Sequence, residues 1–229
     1  MSISSKSSTF IAAIALSLCG SMAAADVDVD KMSFFISSVG SGDGGNFGGL
    51  EGADAHCTTL ASAAGSSKDW AAYLSTSMVI DRSSGSPQVT NGVSARDRIG
   101  AGPWYNANGE MIAKDVDDLH SDAVKISLAT GLDENGNEVA GRGTRPNKHD
   151  ILTGSDSAGH FSTAGGDTTC SNWTSNGEGS AIVGHHDRVG LNASRNMMSW
   201  NSAHGSAGCS DDAFPRTGGA GLIYCFATN

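Results

Sequence analysis

Four cysteines, Cys57, Cys170, Cys209 and Cys225, constrain this chain more than any other feature. A fifth, Cys19, falls in an amino-terminal stretch with the layout of an export signal. Lys6 supplies a positive start, Phe10–Cys19 a short apolar core, and Ala23–Ala25 a small-residue cleavage site. The apolar core is too short to span a bilayer. Cleavage is expected after Ala25, so that residues 1–25 form the signal and residues 26–229 one domain. A lipid-anchored Cys19 is disfavoured, because Leu18 stands where a small residue is required. The exported part then holds an even number of cysteines in an oxidising compartment, extracellular or periplasmic, where two disulfides are expected. Four cysteines allow three pairings. None shows C-x-x-C spacing, which argues against a zinc ribbon or a thioredoxin-type redox site.

The elements around these cysteines suggest one pairing over the others. Met32–Val39 and Trp70–Ser77 are predicted strands, the second with Trp70, Ala72 and Leu74 on one side. Between them, Gly52–Ala64 is a predicted helix carrying Ala53, Cys57, Leu60, Ala61 and Ala64 on one face, with Gly65 as its stop. A second, shorter helix is expected over Asn91–Ile99. Asn108-Gly109 and Asn135-Gly136 each sit between apolar arms and predict type I′ hairpins. From Ile151 onward the chain reads mainly as loop until Gly221–Ala227, a buried strand. The order is that of an α+β fold rather than alternating βαβ units. A cysteine on an early helix and one on a late strand invite an outer Cys57–Cys225 bridge, which would leave Cys170 and Cys209 as an inner pair.

Charge narrows the partners. The chain carries a net charge of −10, and loss of Lys6 with the signal makes the rest one unit more negative. An acidic surface repels phosphate backbones and anionic lipid. Nucleic acid is therefore not an expected partner, nor is membrane insertion; a glycan or an extracellular protein is.

Two stretches hint at hydrolysis. GADAHC (Gly52–Cys57) and GSDSAG (Gly154–Gly159) partly match the histidine and serine motifs of chymotrypsin-like proteases. The match breaks at Ser155, where that family has a glycine, and at Ala158, which follows the candidate nucleophile Ser157. His56 also falls within the predicted helix, so a triad is not expected.

Several motifs together resemble the C-type lectin-like superfamily. They are the helix cysteine Cys57, WAAYLSTS at Trp70–Ser77, ILTGS at Ile151–Ser155, CSNW at Cys170–Trp173, SWNS at Ser199–Ser202, Cys209 and LIYCF at Leu222–Phe226. The likeness covers about Phe34 to Ala227 and is greatest to endostatin-like and secreted bacterial lectin-like domains. It implies two helices against a twisted antiparallel sheet, a long loop region, nested disulfides and a recognition function without catalysis. The calcium–sugar motif of that superfamily is incomplete here. Ser202 follows Trp200-Asn201 where an aspartate is needed, and Pro146-Asn147 follows Arg145 rather than a glutamate. Neither endostatin's basic heparin-binding surface nor its zinc ligands can be matched.

A secreted recognition domain is thus expected, binding carbohydrate through the loops of about Gly154–Pro215 without the usual calcium site and without a cofactor. The alternatives are a protein-binding or structural envelope-associated domain and, more distantly, a secreted serine hydrolase. Candidate ligand-binding residues are Asn172, Trp173, His185, His186, Asp187, Trp200, Asn201 and His204. Indoles beside amides suit sugar rings, although tryptophan is usually buried, and core packing beside the inner disulfide is the favoured expectation for Trp173 and Trp200. The cluster His185-His186-Asp187, with His204 nearby, is the most metal-like. Adjacent side chains of an extended segment point to opposite faces, however, so the two neighbouring histidines are not expected to share an ion. Asp133–Glu138 reads as a hairpin turn rather than a calcium loop.

Overall fold

A computed structural model describes residues 1, 27–163 and 166–229. The proposed signal, apart from Met1, lies outside them. No helix among the described residues is long and apolar enough to cross a membrane.

The late apolar run becomes the organising strand. It is β10, Gly219–Ala227, buried along nearly its whole length. Its residues alternate between two cores. Ile223, Cys225 and Ala227 join one, while Leu222, Tyr224 and Phe226 join the other. A strand covered on both faces reads as a continuous hydrophobic run. On one side β10 pairs antiparallel with β1, Phe34–Ile36. On the other it pairs antiparallel with β2, Trp70–Ala72, and parallel with β7, Asp150–Leu152. The sheet continues antiparallel through β8, Ile182–His185, to β9, His204–Gly205. The implied antiparallel sheet is therefore mixed, because β7 runs alongside β10.

The helix α1 spans Gly49–Ala63 and buries Ala53, Cys57 and Ala61, the face read from the sequence. Gly65, at φ +96°, ends it. Two of the three cysteine pairings are excluded: Cys57 is bonded to Cys225 and Cys170 to Cys209. The bridges close loops of 168 and 39 residues. In the chain-entropy account each contributes roughly 4–5 kcal/mol by restricting the unfolded chain.

The second expected helix is absent. Asn91–Ile99 holds a single 3₁₀ turn, Ala95–Asp97. Before it, Val93 exchanges hydrogen bonds with Thr76, donating to the hydroxyl and accepting from the Thr76 amide. Those backbone groups are therefore committed to the neighbouring segment and cannot close helical turns. The only other right-handed α-helical piece among the described residues is the short α2, Val116–Leu119, capped by Asp115. Among the described residues, one helix of ordinary length thus packs against the sheet, rather than two.

Both Asn-Gly hairpins form, but neither has the expected turn. The first joins β5, Trp104–Tyr105, to β6, Met111–Ala113. Gly109 has φ +73°, whereas Asn108 is not among the described residues with positive φ. Asn106 accepts from the Gly109 amide and donates to the Glu110 carbonyl. That is a type I turn closed by a glycine bulge. Asp133–Asn137 repeats it with Gly136 at φ +78°. A separate hairpin, β3 (Val79–Asp81) and β4 (Gln88–Thr90), lies on the surface.

Candidate functional site

The segment read as loop supplies three of the sheet's strands, and they carry the histidines. Asp150 on β7 lies directly opposite His185 on β8, and His204 on β9 sits diagonally across from His185, opposite Val183. His149 immediately precedes β7. The Asp150 carboxylate is the focus: its Oδ1 lies 3.1 Å from His149 Nε2, 3.3 Å from His185 Nε2 and 3.7 Å from His204 Nε2. His185 and His204 approach each other Nε2 to Nε2 at 3.0 Å. The His149 and His185 rings stack at 4.3 Å, and His204 meets His185 edge-on. His149, Asp150 and His185 are almost wholly buried, while the His204 side chain keeps 28% exposure.

Glycines make room for this arrangement. Gly184 lets the Trp200 carbonyl approach β8, since a Cβ there would stand 1.8 Å from that oxygen. Gly218 lies against His149, with an imagined Cβ 2.9 Å from Nε2.

Each imidazole is held from behind through its other nitrogen. His149 Nδ1 faces Asp187 Oδ1 at 3.3 Å, His185 Nδ1 faces the Met197 carbonyl at 2.7 Å, and His204 Nδ1 faces the Gly205 carbonyl at 3.1 Å. Carbonyl and carboxylate oxygens only accept, so in each neutral ring the proton belongs on Nδ1 and the Nε2 lone pair points to the shared centre. Burial acts to raise the Asp187 pKa. His149 and the amides of Arg142 and Val189 outweigh it and hold the group far below the usual carboxylate range. Burial also acts to lower His185, and the neighbouring Asp150 and the Met197 carbonyl outweigh it, leaving the pKa raised.

The cluster forms the floor of an open depression of about 480 Å³. Arg142, Arg216, Leu191 and Met197 line it together with His149, His185 and His204. Both arginines are exposed.

The eight candidate ligand residues divide. His185 and His204 reach the depression. Asp187 lies behind it, orienting His149. His186, in the turn that follows β8, lies against Gly131 rather than in the depression, and burial pushes its pKa down to about 4 despite the adjacent Asp187. Trp173 is fully buried and donates to the Ser75 carbonyl at 2.7 Å. Trp200 is buried against Tyr73 and Tyr224 and donates to the Leu119 carbonyl. Neither indole presents a face to a ligand. Asn201 is buried and donates to the Tyr73 hydroxyl, while Asn172 accepts from the Ser77 amide. His149, Asp150, Arg142 and Arg216 were missed. The signal available was that Lys148-His149-Asp150 interrupts the approach to an apolar ILTG run.

The protease-like motifs come to little. His56 Nε2 donates to the Val39 carbonyl at 3.1 Å, and its ring packs edge-on to Phe47. Ser157 borders a separate small pocket with His120. Both His120 nitrogens are already engaged there, by the Val116 carbonyl and the Tyr73 hydroxyl.

No protein-family model and no curated protein matches this chain.

Proposed function

We propose that this is a secreted, non-enzymatic recognition domain of the C-type lectin-like kind, and that it binds acidic carbohydrate in the depression over β7–β9. The α+β architecture and the two nested disulfides support the first part. One observation carries the second: on a chain with net charge −10, Arg142 and Arg216 flank three imidazoles at a single concave face. Cations gathered in a cleft focus the local field toward anionic ligands. Guanidinium groups also match carboxylates and sulfates with paired donors. The burial of Trp173 and Trp200 removes the stacking platform a neutral sugar would use. The non-enzymatic reading is supported by the engagement of both His56 and His120 away from Ser157.

The test is a glycan array carrying neutral, uronate-bearing and sulfated sugars, probed with the wild type and with an Arg142→Gln/Arg216→Gln variant. Selective retention of the acidic sugars is expected, at least tenfold weaker in the variant and weakened by salt. Silence across the array from folded protein would overturn carbohydrate recognition.

A further inference from the structure

Beyond whatever the depression recognises, and independently of it, we propose that its floor is a metal site. His149, Asp150, His185 and His204 hold one divalent transition ion, zinc being the best fit, with Nε2 of each histidine and one Asp150 oxygen as ligands.

The geometry comes first. Zinc binds imidazole nitrogen and carboxylate oxygen at about 2.0–2.2 Å, tetrahedrally, which places neighbouring ligand atoms about 3.3–3.5 Å apart. The ligand atoms of His149, Asp150 and His185 all lie within 4.8 Å of one another, with Asp150 Oδ1 3.1 Å from His149 Nε2 and 3.3 Å from His185 Nε2. His204 Nε2 joins from the rim at 3.7 Å from Asp150 Oδ1 and 3.0 Å from His185 Nε2. These four atoms come from three adjacent strands and the residue preceding β7, not from neighbours in sequence, so the convergence belongs to the fold.

Electrostatics supply the second argument. With the three Nδ1 protons directed at Asp187, Met197 and Gly205, the Nε2 lone pairs converge on a carboxylate that is itself only an acceptor. Both Asp150 oxygens are buried and neither has a hydrogen-bond partner. A buried carboxylate without a partner is strongly unfavourable, and lone pairs facing it make matters worse. A cation at the centre satisfies all four atoms at once.

The outer contacts have the form that metal sites use. A ligating histidine ordinarily presents its second nitrogen to a carboxylate or a backbone carbonyl, which fixes the ring and its tautomer. All three rings do so here, and Asp187 is itself fixed by the Arg142 and Val189 amides. His204, partly exposed at the edge of the depression, gives the ion a route in. Three nitrogen donors speak against calcium and magnesium, which prefer oxygen. They suit zinc, and copper(II) by affinity order.

The test uses the full exported protein, stripped with chelator and titrated with Co²⁺, whose tetrahedral complexes absorb strongly in the visible, and then with Zn²⁺. One equivalent of Co²⁺ should bind with a tetrahedral spectrum and be displaced by Zn²⁺. His204→Ala should weaken binding at least tenfold while its circular dichroism stays that of the wild type, because this residue sits at the rim. Asp150→Asn should weaken it further. His160→Ala, an exposed histidine outside the cluster, should bind as the wild type does. Folded wild-type protein that takes up no Co²⁺ would show that protons alone neutralise the centre and would overturn the proposal. So would full uptake by His204→Ala. Neither result depends on the glycan array.

Discussion

His120 illustrates how a single side chain can make this molecule sensitive to pH. Its ring lies against Tyr73 and Trp200, donating from Nδ1 to the Val116 carbonyl and accepting from the Tyr73 hydroxyl at Nε2. Burial lowers its pKa. Arg96 and His160 act in the same sense, while the Val116 carbonyl and Asp156 act in the opposite one. A histidine depressed in the folded state favours folding fully above its unfolded pKa of about 6.5, and that advantage is lost as pH falls through this value toward the folded one. The wild-type melting temperature should therefore fall between pH 7 and pH 5. His120→Asn should be less stable at pH 7 but show a shallower decline. Thermal melts at half-unit intervals would check it, and parallel curves would refute the assignment.

Among the elements, the turn Cys170–Trp173 is the most strained. Four successive non-glycine residues have φ of 48°, 56°, 56° and 66°. Left-handed backbone costs an L-residue about 1–2 kcal/mol. The turn persists because Cys170 is tethered by its disulfide, Trp173 is locked in the core, and the Asp167 carboxylate accepts from the Ser171 amide. Exposed Ser171 is the position where relief is simplest. Ser171→Gly should raise stability by roughly 0.5–1 kcal/mol, the strain removed less the added freedom of the unfolded chain. Chemical denaturation would measure it, and a loss of stability would contradict the strain account. Nothing in the run CSNW announces this conformation, because residue type alone disfavours it. Elsewhere the sequence was readable where a pattern was long or chemically distinctive. The face of α1, the alternation of Trp70, Ala72 and Leu74, the doubly buried β10 and both Asn-Gly hairpins belong to this group. The strands β7, β8 and β9, of two to four residues, are too short for a period to emerge. The histidine–aspartate cluster was half visible for the same reason. His185 and His204 stand out in sequence, but Asp150 joins them only through strand pairing, and His149 only through its position beside β7.

At the level of the whole molecule, the outer disulfide joins α1 to the central strand and so fastens the helical layer to the sheet. Cys57→Ala/Cys225→Ala should lose roughly 4–5 kcal/mol if the chain-entropy account holds, seen as a lower urea midpoint. A loss below 1 kcal/mol would mean that packing alone holds the helix. The pairing also bears on how the molecule is made. A ribosome releases Cys57, then Cys170, then Cys209, and only afterwards Cys225. Oxidation on a first-come basis would join the first two thiols to appear, and both native partnerships would be forfeited. Reaching the native connectivity requires either that early thiols stay reduced until β10 emerges, or that a mispaired bond is attacked and reshuffled by another thiolate. A host lacking a disulfide isomerase should accordingly accumulate scrambled isomers of this protein.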